Sequence, residues 1–210
     1  MKMKLWMTGL VWGTVAFAQI QGSLPARTAP TEYQVQAKAG DVTIAADFVA
    51  HSVPTMEGPL TSEDHVAVEV GLFGPPESKT QLSWEHFSIR INGKKVPTPA
   101  VPVGMAMKGL KDPEWIPPEP PEGSKSKGGG LSAGGGGAAG DPKPDPPKMP
   151  LPLRRAMEQR ARKSAMAEGE RPLPQAGLIF FPYRGKDSNI EKVELIYEGP
   201  AGKAVLPFER

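Results

Sequence analysis

Apolar residues recur at every second position in several stretches of the chain. Tyr33, Val35 and Ala37 alternate with Gln34, Gln36 and Lys38, and Val42, Ile44, Ala46 and Phe48 continue the pattern over 41–49. The run 65–73 sets Val66, Val68, Val70 and Leu72 against Ala67, Glu69 and Gly71, and Phe87, Ile89 and Ile91 alternate with Ser88 and Arg90. Further on, 178–183 is a continuous apolar run, Val193, Leu195 and Tyr197 alternate with Lys192, Glu194 and Ile196, and 204–208 closes the chain. A period of two places one set of side chains on a single face of an extended strand, so each stretch predicts a half-buried β-strand.

Turn signals separate these runs: Ala39-Gly40-Asp41, Gly74-Pro75-Pro76, Gly199-Pro200-Ala201-Gly202 and Asn92-Gly93. Asn-Gly tolerates the positive φ angles of a type I′ turn, which predicts a hairpin whose return strand resumes at Lys94-Lys95-Val96. About seven or eight short strands in 32–98 and 172–210 predict an all-β protein, an immunoglobulin-like antiparallel β-sandwich assembled from both segments.

Between them the pattern changes. The stretch 99–150 is rich in proline and glycine, with Pro117-Pro118-Glu119-Pro120-Pro121, Gly128-Gly129-Gly130 and Asp141-Pro142-Lys143-Pro144-Asp145-Pro146-Pro147. Such composition buries too little apolar surface to offset the entropy of ordering it, so this insertion reads as a spacer, disordered over 119–149. From Leu151 the residues become Ala, Met, Arg, Glu and Gln, which predicts one α-helix over 151–169 with Leu153, Met157, Ala161 and Ala165 on its apolar stripe.

The first residues, Met-Lys-Met-Lys, precede an apolar run from Leu5 to Val15 and then Ala16-Phe17-Ala18. That order is a charged n-region, an h-region and a small-residue cleavage site, so 1–18 reads as a signal peptide cleaved after Ala18 and 19–31 as a flexible N-terminal segment. The expected location is the periplasm or the exterior of a bacterium. Removing Lys2 and Lys4 lowers the basic count from 25 to 23, equal to the 23 acidic residues. A near-neutral mature chain lacks the electrostatic footprint of a nucleic-acid binder. Cysteine is absent, which excludes disulfides, thiol nucleophiles and a lipid-modified N-terminal cysteine.

Chemistry-bearing motifs are few. His51, His65 and His86 lie near Asp47, Glu63, Asp64 and Glu85, without the spacing of an H-E-x-x-H metal motif. Ser52, Ser62, Ser83 and Ser88 lack the G-x-S-x-G context of an activated nucleophile, and the glycines of 128–140 sit inside a proline-rich spacer, where a P-loop needs G-x-x-x-x-G-K-[ST] between strand and helix. No catalytic, cofactor-binding or metal-ligating residue is assigned. Arg154, Arg155, Arg160, Arg162 and Lys163 make the helix basic, which suits either a solvated helix capping the sandwich or contact with an anionic membrane surface. Trp84 is expected to pack at a strand entry, and Trp115 to anchor the insertion on the sandwich.

Two blocks carry a resemblance: Phe87-Ser88-Ile89-Arg90-Ile91-Asn92-Gly93-Lys94-Lys95, and Leu173-Pro174-Gln175-Ala176-Gly177-Leu178-Ile179-Phe180-Phe181 leading to Val193-Glu194-Leu195-Ile196-Tyr197. In them the chain resembles uncharacterised exported bacterial proteins of acidobacterial type with an immunoglobulin-like β-sandwich domain. The resemblance covers both flanks of the insertion and implies a fold, with no catalytic or metal residues and no cofactor. The function expected is a non-catalytic interaction or structural module of the bacterial envelope, with a protein or envelope polymer as partner. The alternative is a secreted hydrolase or metal-dependent enzyme whose residues meet only in three dimensions, His51 and His65 first among them.

Overall fold

A computed structural model of the chain describes residues 23–118 and 148–208. The expected signal peptide and residues 119–147 of the expected disordered stretch lie outside these residues. Thirteen strands occur among the described residues: β1 (Val35–Ala39), β2 (Val42–Ala50), β3 (Ser52–Val53), β4 (Leu60–Ser62), β5 (His65–Phe73), β6 (Lys79–Leu82), β7 (Phe87–Ile91), β8 (Thr98–Pro99), β9 (Leu110–Lys111), β10 (Gly169–Pro172), β11 (Gln175–Pro182), β12 (Val193–Gly199) and β13 (Gly202–Phe208). Two short-to-medium helices interrupt them, α1 (Val103–Ala106) and α2 (Leu151–Ser164).

The long strands form two antiparallel four-stranded sheets, β1-β2-β5-β11 and β13-β12-β7-β8. Their facing sides supply one core, to which Ile44, Val68, Val70, Leu72, Ile179 and Phe181 come from the first sheet and Ile89, Leu195, Tyr197 and Leu206 from the second. Register explains the match: Ile89 and Leu206 both lie opposite Leu195, so alternate residues of three strands point inward together. Minor pairs β10-β6 and β3-β4-β9 extend the rims.

Strands β5 and β11 of the first sheet are covered on both sides, whereas Gln36 and Lys38 leave the outer face of β1 exposed. A second apolar cluster joins Ala67, Leu178 and Phe180 on the outer face of β5 and β11 to Met157, Ala161 and Ala165 of the α2 region, to Ala106, Met107 and Leu110, and to Val53 and Leu60. The continuous apolar run of β11 follows from this, because its odd and even positions both face protein. In the second sheet the outer face is open, and cross-strand ion pairs line it: Arg90 with Glu194 at 2.6 Å and Lys203 with Glu198 at 3.1 Å.

Several expectations change here. The helix ends at Ser164, not 169, because Met166 N donates to Leu178 O at 3.0 Å and Ala165 pairs in parallel with Leu178. An edge of β11 thus takes over the chain. Leu153, expected on the apolar stripe, is exposed, and Ser164 is buried in the helix face instead. Within the insertion, 99–112 is part of the packed body, since Ala106, Met107 and Leu110 are buried, Val101 N donates to Phe180 O at 2.9 Å and Asp112 pairs with Arg160.

The hairpin after β7 is present, with Asn92 and Gly93 at φ 52° and 68°, but its return strand begins at Thr98 rather than Lys94. Asn92 is drawn sideways instead: its Oδ1 accepts from Glu191 N at 2.8 Å and Lys192 N at 3.2 Å, and its Nδ2 donates to Asn189 O at 2.6 Å. Residues 23–31, expected to be flexible, lie as a strap on the first sheet. Arg27 pairs with Asp47 at 2.5 Å and Glu69 at 3.2 Å and stacks 4.2 Å over the Tyr33 ring. Tyr33 itself occupies the space that the missing side chain of Gly71 leaves.

Candidate functional site

The end of the sandwich where β5 begins and β11 finishes gathers the most chemistry. A β-bulge between Phe48 and Ala50, with Ala50 at φ 53°, turns the chain out of β2 at His51. His51 Nδ1 contacts Asp187 Oδ1, its Nε2 lies 3.3 Å from Tyr183 O, and its ring tilts against Tyr183 with centroids 5.8 Å apart. His65 opens β5 opposite Pro182, the residue before Tyr183. The sandwich therefore brings His51 and His65 to one segment, Pro182-Tyr183.

His65 is half-buried, and its Nδ1 is shielded from solvent without a hydrogen-bond partner. Burial lowers its pKa below 6.5; neighbouring Asp64 opposes that shift, and Arg184 adds to it. Asp64 is held twice, its carbonyl accepting from Tyr183 N at 2.9 Å and its Oδ1 from Arg184 Nε at 2.8 Å. Around these residues opens a cleft of about 560 Å3, also lined by Lys94, Met105, Lys108, Tyr183 and Gly185.

The other acids that the sequence sets near the histidines are engaged elsewhere. Asp47 belongs to the Arg27 cluster, and Glu63 binds Lys111 Nζ at 2.5 Å. Glu85 shares a short turn with His86, which meets Tyr197 edge-on at 6.1 Å and belongs to the second sheet. Among the described residues no group of three or more His, Asp or Glu side chains is placed to hold a metal ion.

Trp84 packs against the main core as expected, whereas Trp115 is half-buried in a turn whose N–H bonds Asp112 O at 3.2 Å. The basic helix divides its charge. Arg160 points inward to Asp112 at 2.9 Å and to Gly58 O at 3.1 Å, while Arg155, Arg162 and Lys163 are exposed. The first sheet covers Met157, Ala161 and Ala165 of its apolar stripe, while Leu151 and Leu153 in its first turn are exposed. Among the described residues no helix is long and apolar enough to cross a membrane.

Lys94, Lys108, Tyr183 and Arg184 were not indicated by the sequence. Lys94 sits in a hairpin turn, Lys108 inside the supposed spacer and Arg184 after a strand, and nothing in local spacing joins them. The architecture defines a two-layer antiparallel β-sandwich with a third, partly helical layer on one sheet. No protein-family model, curated protein or solved structure matches the chain.

Proposed function

We propose that the chain is an exported, non-catalytic binding module of the bacterial envelope, and that the cleft beside His65 is where it meets its partner. The carrying observation is the convergence of Lys94, Lys108 and Arg184, from three separate segments, on one open cleft with Asp64 as its acid. The leader-like N-terminus supports export, as does the resemblance to exported acidobacterial-type proteins. The two-layer plan supports the immunoglobulin-like description. The connections are the chain's own, because β5 lies beside β2, whereas an immunoglobulin constant domain sends its third strand to the opposite sheet.

Co-sedimentation with purified cell envelopes tests the reading. The exported chain is expected to pellet with envelopes, and the double variant Lys94→Glu/Lys108→Glu to stay in solution with an unchanged melting curve. A folded wild-type chain that never pellets refutes it. The second reading, a secreted hydrolase, rests on the contact of His51 Nδ1 with Asp187, the orientation a general base uses. It requires ester or amide turnover that His51→Ala abolishes.

A further inference from the structure

We propose that the cleft beside His65 is an oxyanion site that binds the repeated phosphate or carboxylate groups of an anionic envelope polymer, a specification that rests on the binding-module reading above. Charge is the first argument. Lys94, Lys108 and Arg184 bring three positive charges to the cleft against the single carboxylate of Asp64. Asp64 is matched by Arg184, and among the described residues Lys94 and Lys108 form no ion pair. Two positive charges are left over, facing solvent.

Positioning is the second argument. Lys94 follows a turn that Asn92 fastens to 189–192 through three side-chain hydrogen bonds, at 2.6, 2.8 and 3.2 Å, and a fourth from its backbone N to Lys192 O at 2.8 Å. Lys108 stands between buried Met107 and buried Gly109, and Gly109 O accepts from Glu63 N at 3.0 Å. A side chain at Gly109 would come within 3.3 Å of the Asp64 backbone N and carboxylate, so glycine there lets the lysine turn and Asp64 lie together. Arg184 gives its Nε to Asp64, which orients the guanidinium; its two Nη groups make no bond among the described residues and are placed to fork onto an oxyanion.

The third argument separates a polymer from a free ion. Lys94, Lys108 and Arg184 are all exposed, and an exposed ion contact is worth only about 0–1 kcal/mol. One phosphate gains too little from such a site to bind tightly. A polymer offers the one cleft many copies of the group, so rebinding of a neighbouring repeat raises the apparent affinity per chain in proportion to the repeats within reach. The cleft also presents Met105 and Tyr183, apolar surface that suits the carbon backbone of a glycan or polyol.

The test is retention of the exported full chain on immobilised poly(glycerol phosphate), alginate and neutral dextran. Binding to either polyanion and none to dextran is expected; poly(glycerol phosphate) alone would assign phosphate as the ligand group and alginate alone carboxylate. Affinity should fall about tenfold or more when salt rises from about 50 to 200 mM. The double variant Lys94→Glu/Lys108→Glu, which reverses two charges, should lose about tenfold or more and the single variant Arg184→Ala about threefold, with melting curves unchanged, as surface substitutions allow. The imidazole NMR signals of His65 should shift on polymer addition. Equal retention on dextran, stronger retention on duplex DNA than on both polyanions, or full binding by the folded double variant would overturn the proposal. Envelope pelleting without polyanion affinity would overturn this ligand class alone, whereas loss of both overturns the binding-module reading with it.

Discussion

Substituting Gly177 with alanine probes whether the segment leaving α2 really crosses the edge of β11. A Cβ at Gly177 would lie 2.5 Å from Met166 Cα, 2.6 Å from Met166 N and 2.9 Å from the Ala165 carbonyl carbon. All three are backbone atoms, so no side chain can swing aside. Relief requires the 165–166 segment to move outward, which stretches the bond from Met166 N to Leu178 O, now 3.0 Å, and lifts Ala165 from Leu178. Overpacking of this kind costs about 1–3 kcal/mol and a weakened backbone hydrogen bond adds about 1 kcal/mol.

A total near 3 kcal/mol corresponds to a fall in Tm of about 6–12 °C for a domain of 150–250 residues. Gly104→Ala is the control. It lies in α1 with nothing within 4 Å of its Cβ, and alanine there should be neutral or stabilise by about 0.4–1 kcal/mol. Thermal melts followed by circular dichroism compare the two. If Gly177→Ala melts with Gly104→Ala, the chain after α2 does not press on β11 and the third layer is wrongly placed.

Arg27→Met should cost about 2 kcal/mol, because it leaves Asp47 and Glu69, directly opposite each other in register and only 14% and 13% exposed, as unpaired like charges. Urea denaturation measures the loss, and adding Glu69→Gln should restore part of it. Arg160→Met should cost about 2 kcal/mol by leaving Asp112 without its cation, and hydrogen exchange at 55–58 should speed up as Glu57 O loses its Arg160 donor and Gly58 O keeps only the Thr55 hydroxyl. Acid should destabilise the fold in two windows. The pKa of His65 is lowered by burial, so below its ordinary 6.5 the unfolded chain takes up the proton more readily and stability falls with pH. Glu194 is held below its ordinary 4.5 by its hydrogen bonds to Arg90 and Lys192, so its contribution is present above that pH and lost as pH falls through the folded value. Urea midpoints at pH 7.5 and 5.5 should differ less in His65→Gln than in the wild type; an equal difference would rule out His65 as the source.

The sandwich was legible where one physical signal dominated. Strand β5 follows from Val66, Val68, Val70 and Leu72 at period two, and the turn after β7 from Asn92-Gly93. What the sequence hid was the third layer. Asp47 and Glu69 read as solvent-facing positions because their neutralising partner, Arg27, lies 20 and 42 residues away. Pro97, Pro99 and Pro102 made 99–118 look like spacer, although Ala106, Met107 and Leu110 are buried there against β11 and α2. The helix end was misjudged for a similar reason, since local propensity continues past Ser164 and only the free edge of β11 stops it. His51 and His65 were visible as candidates, but the cations of the cleft were not, because exposed lysines carry no local mark of the partner they face.

Charge placement links the fold to the binding reading. Outside the cleft, many cations are spent internally: Arg27 on Asp47 and Glu69, Arg90 on Glu194, Lys111 on Glu63, Arg160 on Asp112 and Lys203 on Glu198. These pairs cancel within a few ångströms and project little field. A chain whose formal net charge is only +2 can therefore still present a local excess, provided the unpaired cations lie together, as Lys94 and Lys108 do around the cleft. The attraction of such a patch for a polyanion is short-ranged, about one Debye length or 8 Å at physiological ionic strength. Salt should consequently weaken binding through these few side chains while leaving the stability of the sandwich, which rests on its two apolar clusters, largely unchanged.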